Sequence, residues 1–516
     1  MKVYRIDRLL FFLLLTIITL ERWDIVDKLN ELYKYLGKIN DLSYIISLLD
    51  WELKMNVPND VISDVNRLIR IKDIKLFRMK TDKKYGELLE SIIKDKSFKT
   101  IGDIECHHIL KLYKDYNNYK NVPLKFYKKH MDISISAGIT FEDAKKKNDA
   151  SIVLPKLEAM IESTKKLYSY RGSKKNIYDL MLDDFEEGMT TKEIDKLFNE
   201  IKDSLIPLIK KINIKKLDKI KYNFSSKELK DSALVLLSYI GFDFDKGDVN
   251  IYQNAFTARL GFNDVRITFN NNDNPATYAS TVIHEGGHGL VEANISPEYI
   301  KYASTSLKSL TALHESQSRF YENILGRNKN FWIPIYEDFK NKIGINLSLD
   351  EFVEYITLIK PGAIRLEADE LTYCMHIIVR YEIEKDLFNG KISVYDIEKE
   401  WNKKMYEYLG VEVKNDSEGF LQDVHWAQGY FGYFPSYLLG TIYDGMIREA
   451  IEKDLGSIDD LLKNNKIKEI TNYLKDNIYK YGGAYSSKEI INKMCGSEIS
   501  TKPIINYFKR KYGSNN

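Results

Sequence analysis

The sequence predicts a mainly α-helical protein carrying one small β-sheet of two or three strands. Two observations lead there. Apolar residues recur three and four apart along most of the chain, the spacing that turns one stripe of a helix into a core. One stretch, 248–270 (DVNIYQNAFTARLGFNDVRITFN), instead mixes β-branched and aromatic residues with Gly and Asn-Asp punctuation, the pattern of short strands. The 516 residues suffice for a large core, and only 10 prolines interrupt them. No internal repeat and no long Pro/Ser-rich linker divides the chain. Residues 23–516 therefore read as one domain, a helical half over about 23–245 and a second half over about 246–516, lying as lobes around a cleft.

Composition narrows the classes. At 44% hydrophobic and 29% charged residues, the chain matches ordinary globular proteins. Lys and Arg total 77 against 75 Asp and Glu, a net charge of +2, so the basic surface that nucleic acid requires is missing. Lys145, Lys146 and Lys147 sit beside acids and read as a solvated helix face. Cys106, Cys374 and Cys495 are too few and scattered for a disulfide framework, which favours a reducing, cytoplasmic setting.

Residues 1–22 stand apart as an apolar N-terminal extension. Leu9–Leu20 is a continuous apolar run behind Lys2, Arg5 and Arg8. As a helix it rises about 18 Å against about 30 Å of hydrocarbon, too little to span a bilayer. Its length and positive flank suit a signal-peptide core, but no small-x-small cleavage site follows. Secretion or membrane association stays open on its account.

From Trp23 onward the helical period takes over, and the strands of 248–270 come just before the segment that carries chemistry. Residues 284–289 read HEGGHG inside NPATYASTVIHEGGHGLVEANI, a helix that Asn274 caps and Pro275 opens. With about 100° per residue, His284 and His288 lie about 40° apart and face one point, as two imidazoles sharing a metal must. Glu285 points beside that spot, placed to take a proton from a water activated by the metal. The glycines separate by direction. Gly287 flanks the metal opposite Glu285 and reads as room for a peptide backbone; Gly286 and Gly289 point away and read as tight packing.

A catalytic zinc needs a third protein ligand. The third histidine of an extended H-x-x-G-x-x-H motif is missing, because Val291 occupies the glycine position. Glu315 in TALHESQSRF is the leading candidate, with His314 and Glu292 as competitors.

Six motifs in order, DVRIT (264–268), HEGGH (284–288), HESQ (314–317), IRLEAD (364–369), GFLQDVHW (419–426) and GYFPSYLLG (432–440), resemble the carboxypeptidase Taq family of zinc metallocarboxypeptidases. LLDWELKMNVP (48–58) is similar to its N-terminal region. The resemblance implies a large helical metallopeptidase fold with a deep active-site cleft and a small sheet beside the HExxH helix. It implies a homodimer that removes single residues from the free C-terminus of peptides with broad specificity. His284, His288 and Glu315 are then the ligands of one Zn2+, with Co2+ as the alternative ion, and Glu285 is the general base.

Recognition of a terminal carboxylate calls for arginine's planar fork, and Arg365 is the leading candidate, with Asp369 one turn on to orient it. His425 and Tyr433 are candidate donors to the oxyanion or the substrate carboxylate. Trp426, Tyr430, Phe431 and Phe434 read as wall and core, and Ser316 and Gln317 as supports of the ligand set. Arg266, which shares a strand face with Asp264, either reaches the substrate or pairs with that neighbour. The chain departs from the family at Asn254-Ala255-Phe256, where His-Pro-Phe is usual. A zinc oligopeptidase cutting internally is the alternative reading; a non-catalytic, membrane-tethered peptide-binding protein is the reading from another class.

Overall fold

A computed structural model of the chain describes residues 3–55, 58–215, 217–252, 254–300 and 310–513. It is 69% helical with one three-stranded mixed sheet, the predicted class. The chain divides into two compact units, one running to Lys128 and including Tyr170–Gly172, the other formed by Lys129–Ser169 and the rest from Ser173.

In the first unit, α1 (Val3–Lys54) is followed by α2 (Asn59–Lys80), α3 (Lys83–Ile93) and α4 (Asp103–Tyr119). Leu32, Leu36 and Ile39, spaced four and three apart on α1, meet Tyr85, Leu89 and Ile92 of α3 and Ile109 and Leu112 of α4 in one buried cluster. The periodicity of the sequence is thus used as it reads. Asp82 caps α3 by accepting from the Lys84 amide at 2.8 Å. The apolar side chains of the N-terminal extension lie outside the described residues. Among the residues described, no helix is long and apolar enough to cross a membrane.

The second unit contains the sheet. Strands β1 (Gly247–Tyr252), β2 (Phe256–Gly261) and β3 (Asp264–Asn270) lie in the order β1-β3-β2, with β3 parallel to β1 and antiparallel to β2. Val265, Ile267 and Phe269 alternate along β3 and are fully buried. Before the sheet comes α5 (Ser226–Ile240), opened by a Ser225–Glu228 capping box and closed by Gly241 at a φ of 91°. After it comes α6 (Pro275–Ala293), where Asn274 accepts from the amides of Ala276 and Thr277, the cap expected from the sequence. Next are α7 (Thr311–Arg319), continuing as a π-helical turn over Phe320–Leu325, α8 (Tyr373–Phe388) and α9 (Phe434–Leu455).

The glycines of α6 mark its neighbours. A Cβ on Gly286 would meet the side-chain tips of Leu237 and Ile240 on α5 at 2.6 Å, as the packing reading expects. One on Gly289 would meet Ile267 of β3 at 2.6 Å. Gly287 overturns its expectation. Its Cβ would fall 2.6 Å from the Ser318 Cα and 2.7 Å from the Gln317 carbonyl, so the backbone of α7 occupies the space assigned to a peptide. The missing side chain sets the approach of two helices.

Candidate active site

That approach brings α7 against α6 and places Glu315 opposite the two histidines. Glu315 Oε2 lies 3.4 Å from His288 Nε2 and 4.0 Å from His284 Nε2. All three ligand atoms fall within 4.8 Å of one another, the one cluster among the described residues with the donors for a metal. Two imidazoles and a carboxylate suit a divalent ion such as zinc.

The electrostatics fit as well. Burial acts against the charge on Glu315, but His284 and His288 prevail and lower its carboxyl to about 2. Burial would likewise depress His284, yet Glu315, Glu322 and Glu285 raise it to about 9. Burial, His314 and His284 lower His288 instead. An anionic carboxylate beside an imidazole that holds a proton by charge is a set in which a cation can replace that proton.

Supporting groups come from several elements. Glu322, in the π-helical turn, accepts from His284 Nδ1 at 2.8 Å and thereby directs Nε2 toward Glu315. His314, the competitor for third ligand, stacks on His288 with centroids 4.6 Å apart and gives its Nε2 to Glu292 at 3.0 Å. Glu292 is in turn held by Arg259 at 2.7 Å, so neither competitor joins the cluster. Glu285 is buried, and the Thr257 hydroxyl reaches its Oε2 at 2.8 Å. Ser316 and Gln317 turn away: Ser316 donates to Asp444 at 2.7 Å, and Gln317 accepts from Tyr479 at 2.9 Å, fixing α7 from behind.

Arg365, His425 and Tyr433 belong to a second cluster, joined through Tyr437. Arg365 is buried and pairs with Asp423 through Nη2 at 2.8 Å and Nε at 3.1 Å, while its Nη1 donates to the Tyr373 hydroxyl at 3.2 Å. Arg380 binds the same carboxylate through Nε at 2.7 Å. Two guanidinium groups thus share one carboxylate and leave a buried excess of positive charge. The Asp369 expectation fails. Arg365–Glu367 is a short 3-10 turn and Ala368 is extended, so the one-turn relation does not exist. Asp369 instead accepts from the amides of Lys360, Leu371 and Thr372.

His425 stacks on Tyr433 at 5.5 Å, and burial lowers it to about 4, so it is a neutral donor near pH 7. Tyr433 and Tyr437 both feel the charge of Glu315, which ties this cluster to the first. The loop carrying His425 and Tyr433 is fixed by buried Glu384, which accepts from Trp426 Nε1 at 3.2 Å and from the Gly432 amide. Trp426, Phe431 and Phe434 are buried as expected, whereas Tyr430 is 46% exposed and is neither wall nor core. Arg266 forms a bidentate pair with Asp264 at 2.9 and 3.0 Å, the second of its two sequence readings.

Glu322, Asp423, Arg380, Tyr373 and Thr257 were not singled out by sequence reasoning. Two of them carry a signal in the sequence: Glu322 lies seven residues, about two helical turns, after Glu315, and Asp423 lies within the GFLQDVHW motif.

A helical fold with such a cluster defines a class of metal-dependent hydrolases, and comparison gives the family. Residues 31–512 match the carboxypeptidase Taq (M32) metallopeptidase family. The chain is 35% identical over 493 residues to carboxypeptidase 1 of Bacillus subtilis (strain 168), covering 94% of this chain and 98% of that protein. It is 30% identical over 478 residues to thermostable carboxypeptidase 1 of Pyrococcus furiosus, covering 90% and 94%. The solved structure of a Pyrococcus furiosus carboxypeptidase superposes with a TM-score of 0.88 at 26% identity, covering 94% of this chain and 99% of that one. The chain belongs to the M32 family and is a metallocarboxypeptidase, a hydrolase acting on peptides. Neither internal cleavage nor a non-catalytic role is favoured.

Proposed function

We propose that this metallocarboxypeptidase releases single residues from free peptide C-termini with broad specificity, using one zinc ion held by His284, His288 and Glu315. Co2+ is the alternative ion, since nothing in the donor set separates the two. The bound ion supplies a polarised carbonyl and a water of lowered pKa. Glu285 takes the water's proton and passes it to the leaving amine. Arg365 receives the terminal carboxylate in its remaining reach, and His425 or Tyr433 donates to the oxyanion. Arg266, paired with Asp264, is the remaining candidate for a substrate contact in this reading. A homodimer in the cytoplasm, in keeping with three free cysteines, completes it.

One observation carries the reading. Arg365 and Arg380 share Asp423, so these three buried groups carry one excess positive charge. An anionic group on the substrate balances it, and a peptide's free C-terminus is such a group. Mass spectrometry of one peptide with a free and with an amidated C-terminus tests this. The reading expects a ladder of single C-terminal losses from the free form only, abolished by chelator. Equal processing of the amidated form contradicts it.

A further inference from the structure

The general base has a partner outside its own helix. Thr257 and Arg259 alternate on β2 and so face the same side, toward α6. Glu285 and Glu292 are seven residues apart on α6, two turns, and also share a face. The two ties match in order: Thr257 to Glu285 at 2.8 Å, Arg259 to Glu292 at 2.7 Å. The strand therefore lies along the helix as a splint.

We propose that Thr257 is a positioning residue for the reaction, its hydroxyl holding the Glu285 carboxylate in the rotamer that proton transfer requires. This rests on the reading of Glu285 as base. Glu285 Oε2 accepts the hydroxyl, which leaves Oε1 as the oxygen for the water's proton. A glutamate has three rotatable bonds, whereas a β-branched threonine is stiff about χ1. Its backbone is fixed too, since Thr257 pairs with Ile267 in the sheet and Arg259 anchors the strand two residues on. The same hydroxyl lies 3.0 Å from the Glu285 carbonyl, so it can fasten strand to helix in a purely structural way. The two roles separate by experiment.

Thr257→Val keeps the shape and removes the hydroxyl; Thr257→Ser keeps the hydroxyl. Steady-state hydrolysis of an unblocked dipeptide, with metal affinity by chelator competition, gives the readouts. The proposal expects Thr257→Val to lose about tenfold or more in kcat, the scale of one hydrogen bond to a charged group. KM and metal affinity stay within about twofold, a pattern that marks an interaction made in the transition state. Thr257→Ser keeps kcat within about twofold. Thr257→Ala, which adds no bulk, gives the same reading as Thr257→Val should that variant fold poorly. Unchanged kcat without the hydroxyl overturns the proposal. So does an equal loss in Thr257→Ser, or a loss that follows metal affinity. Glu285→Gln, run alongside, separates the levels. Full turnover in that variant removes the base assignment and this proposal together, while an inactive Glu285→Gln with an active Thr257→Val removes the proposal alone.

Discussion

Glu322 accepts the Nδ1 proton of His284 at 2.8 Å from a π-helical turn that begins one residue after the helix of Glu315 ends. The bond fixes the tautomer, directs Nε2 to the cluster and increases the basicity of the ring. Glu322→Ala is expected to weaken metal binding by about 10- to 100-fold, measured by chelator competition. Glu322→Gln, whose amide oxygen still accepts, loses less. Equal affinity in all three proteins would mean that the cluster orients itself without this carboxylate.

The closeness of α6 and α7 yields a second prediction. A methyl at 286 meets flexible side-chain tips, while one at 287 meets backbone. Gly287→Ala must push α7, and Glu315 with it, away from the histidines. It is expected to lower the melting temperature and the metal affinity more than Gly286→Ala does. The reverse order in a thermal melt contradicts the packing described.

The shared carboxylate predicts an asymmetry between partners. Asp423→Ala leaves two buried guanidinium groups unpaired and is expected to destabilise the fold by about 3–5 kcal/mol, read from denaturant unfolding. Arg365→Ala leaves Asp423 with Arg380, so the fold suffers less. Its loss shows in kcat/KM for peptides with a free C-terminus, by about 100-fold for a charge-assisted contact.

Glu384 gives the pH dependence. Burial raises its carboxyl to about 8, with only Gly432 and Trp426 as donors to oppose the shift. A carboxyl raised above its unfolded value of 4.5 contributes stability fully below that pH and loses it as pH rises through about 8. The wild type is therefore expected to lose melting temperature between pH 6 and pH 9, and Glu384→Gln, which cannot ionise, to lose less. Parallel curves for the two proteins would show that Glu384 does not titrate in this window.

What could be read beforehand followed from local geometry. The 3.6-residue period gives the helices, β-branched and aromatic residues between Gly and Asn-Asp punctuation give the strands, and the angle between His284 and His288 holds in any helix. Where the structure differs, the deciding partner is distant in sequence. Asp423 is 58 residues from Arg365, and nothing in IRLEAD reveals that its helical reading fails at an extended Ala368. The direction of Gly287 followed from the helical wheel, but whether substrate or α7 fills that space is a tertiary fact. Thr257 was hidden for the same reason, since a threonine in a strand carries no mark of the helix it touches.

The proposed division of labour has His284, His288 and Glu315 holding one metal ion while Glu285 moves the proton. Glu285→Gln tests it most directly, with metal content and steady-state turnover measured on the same preparation. The expected outcome is one ion per chain, as in the wild type, and kcat reduced by at least about 100-fold, the lower end for a lost general base. Turnover near the wild-type value with the ion still bound would contradict it.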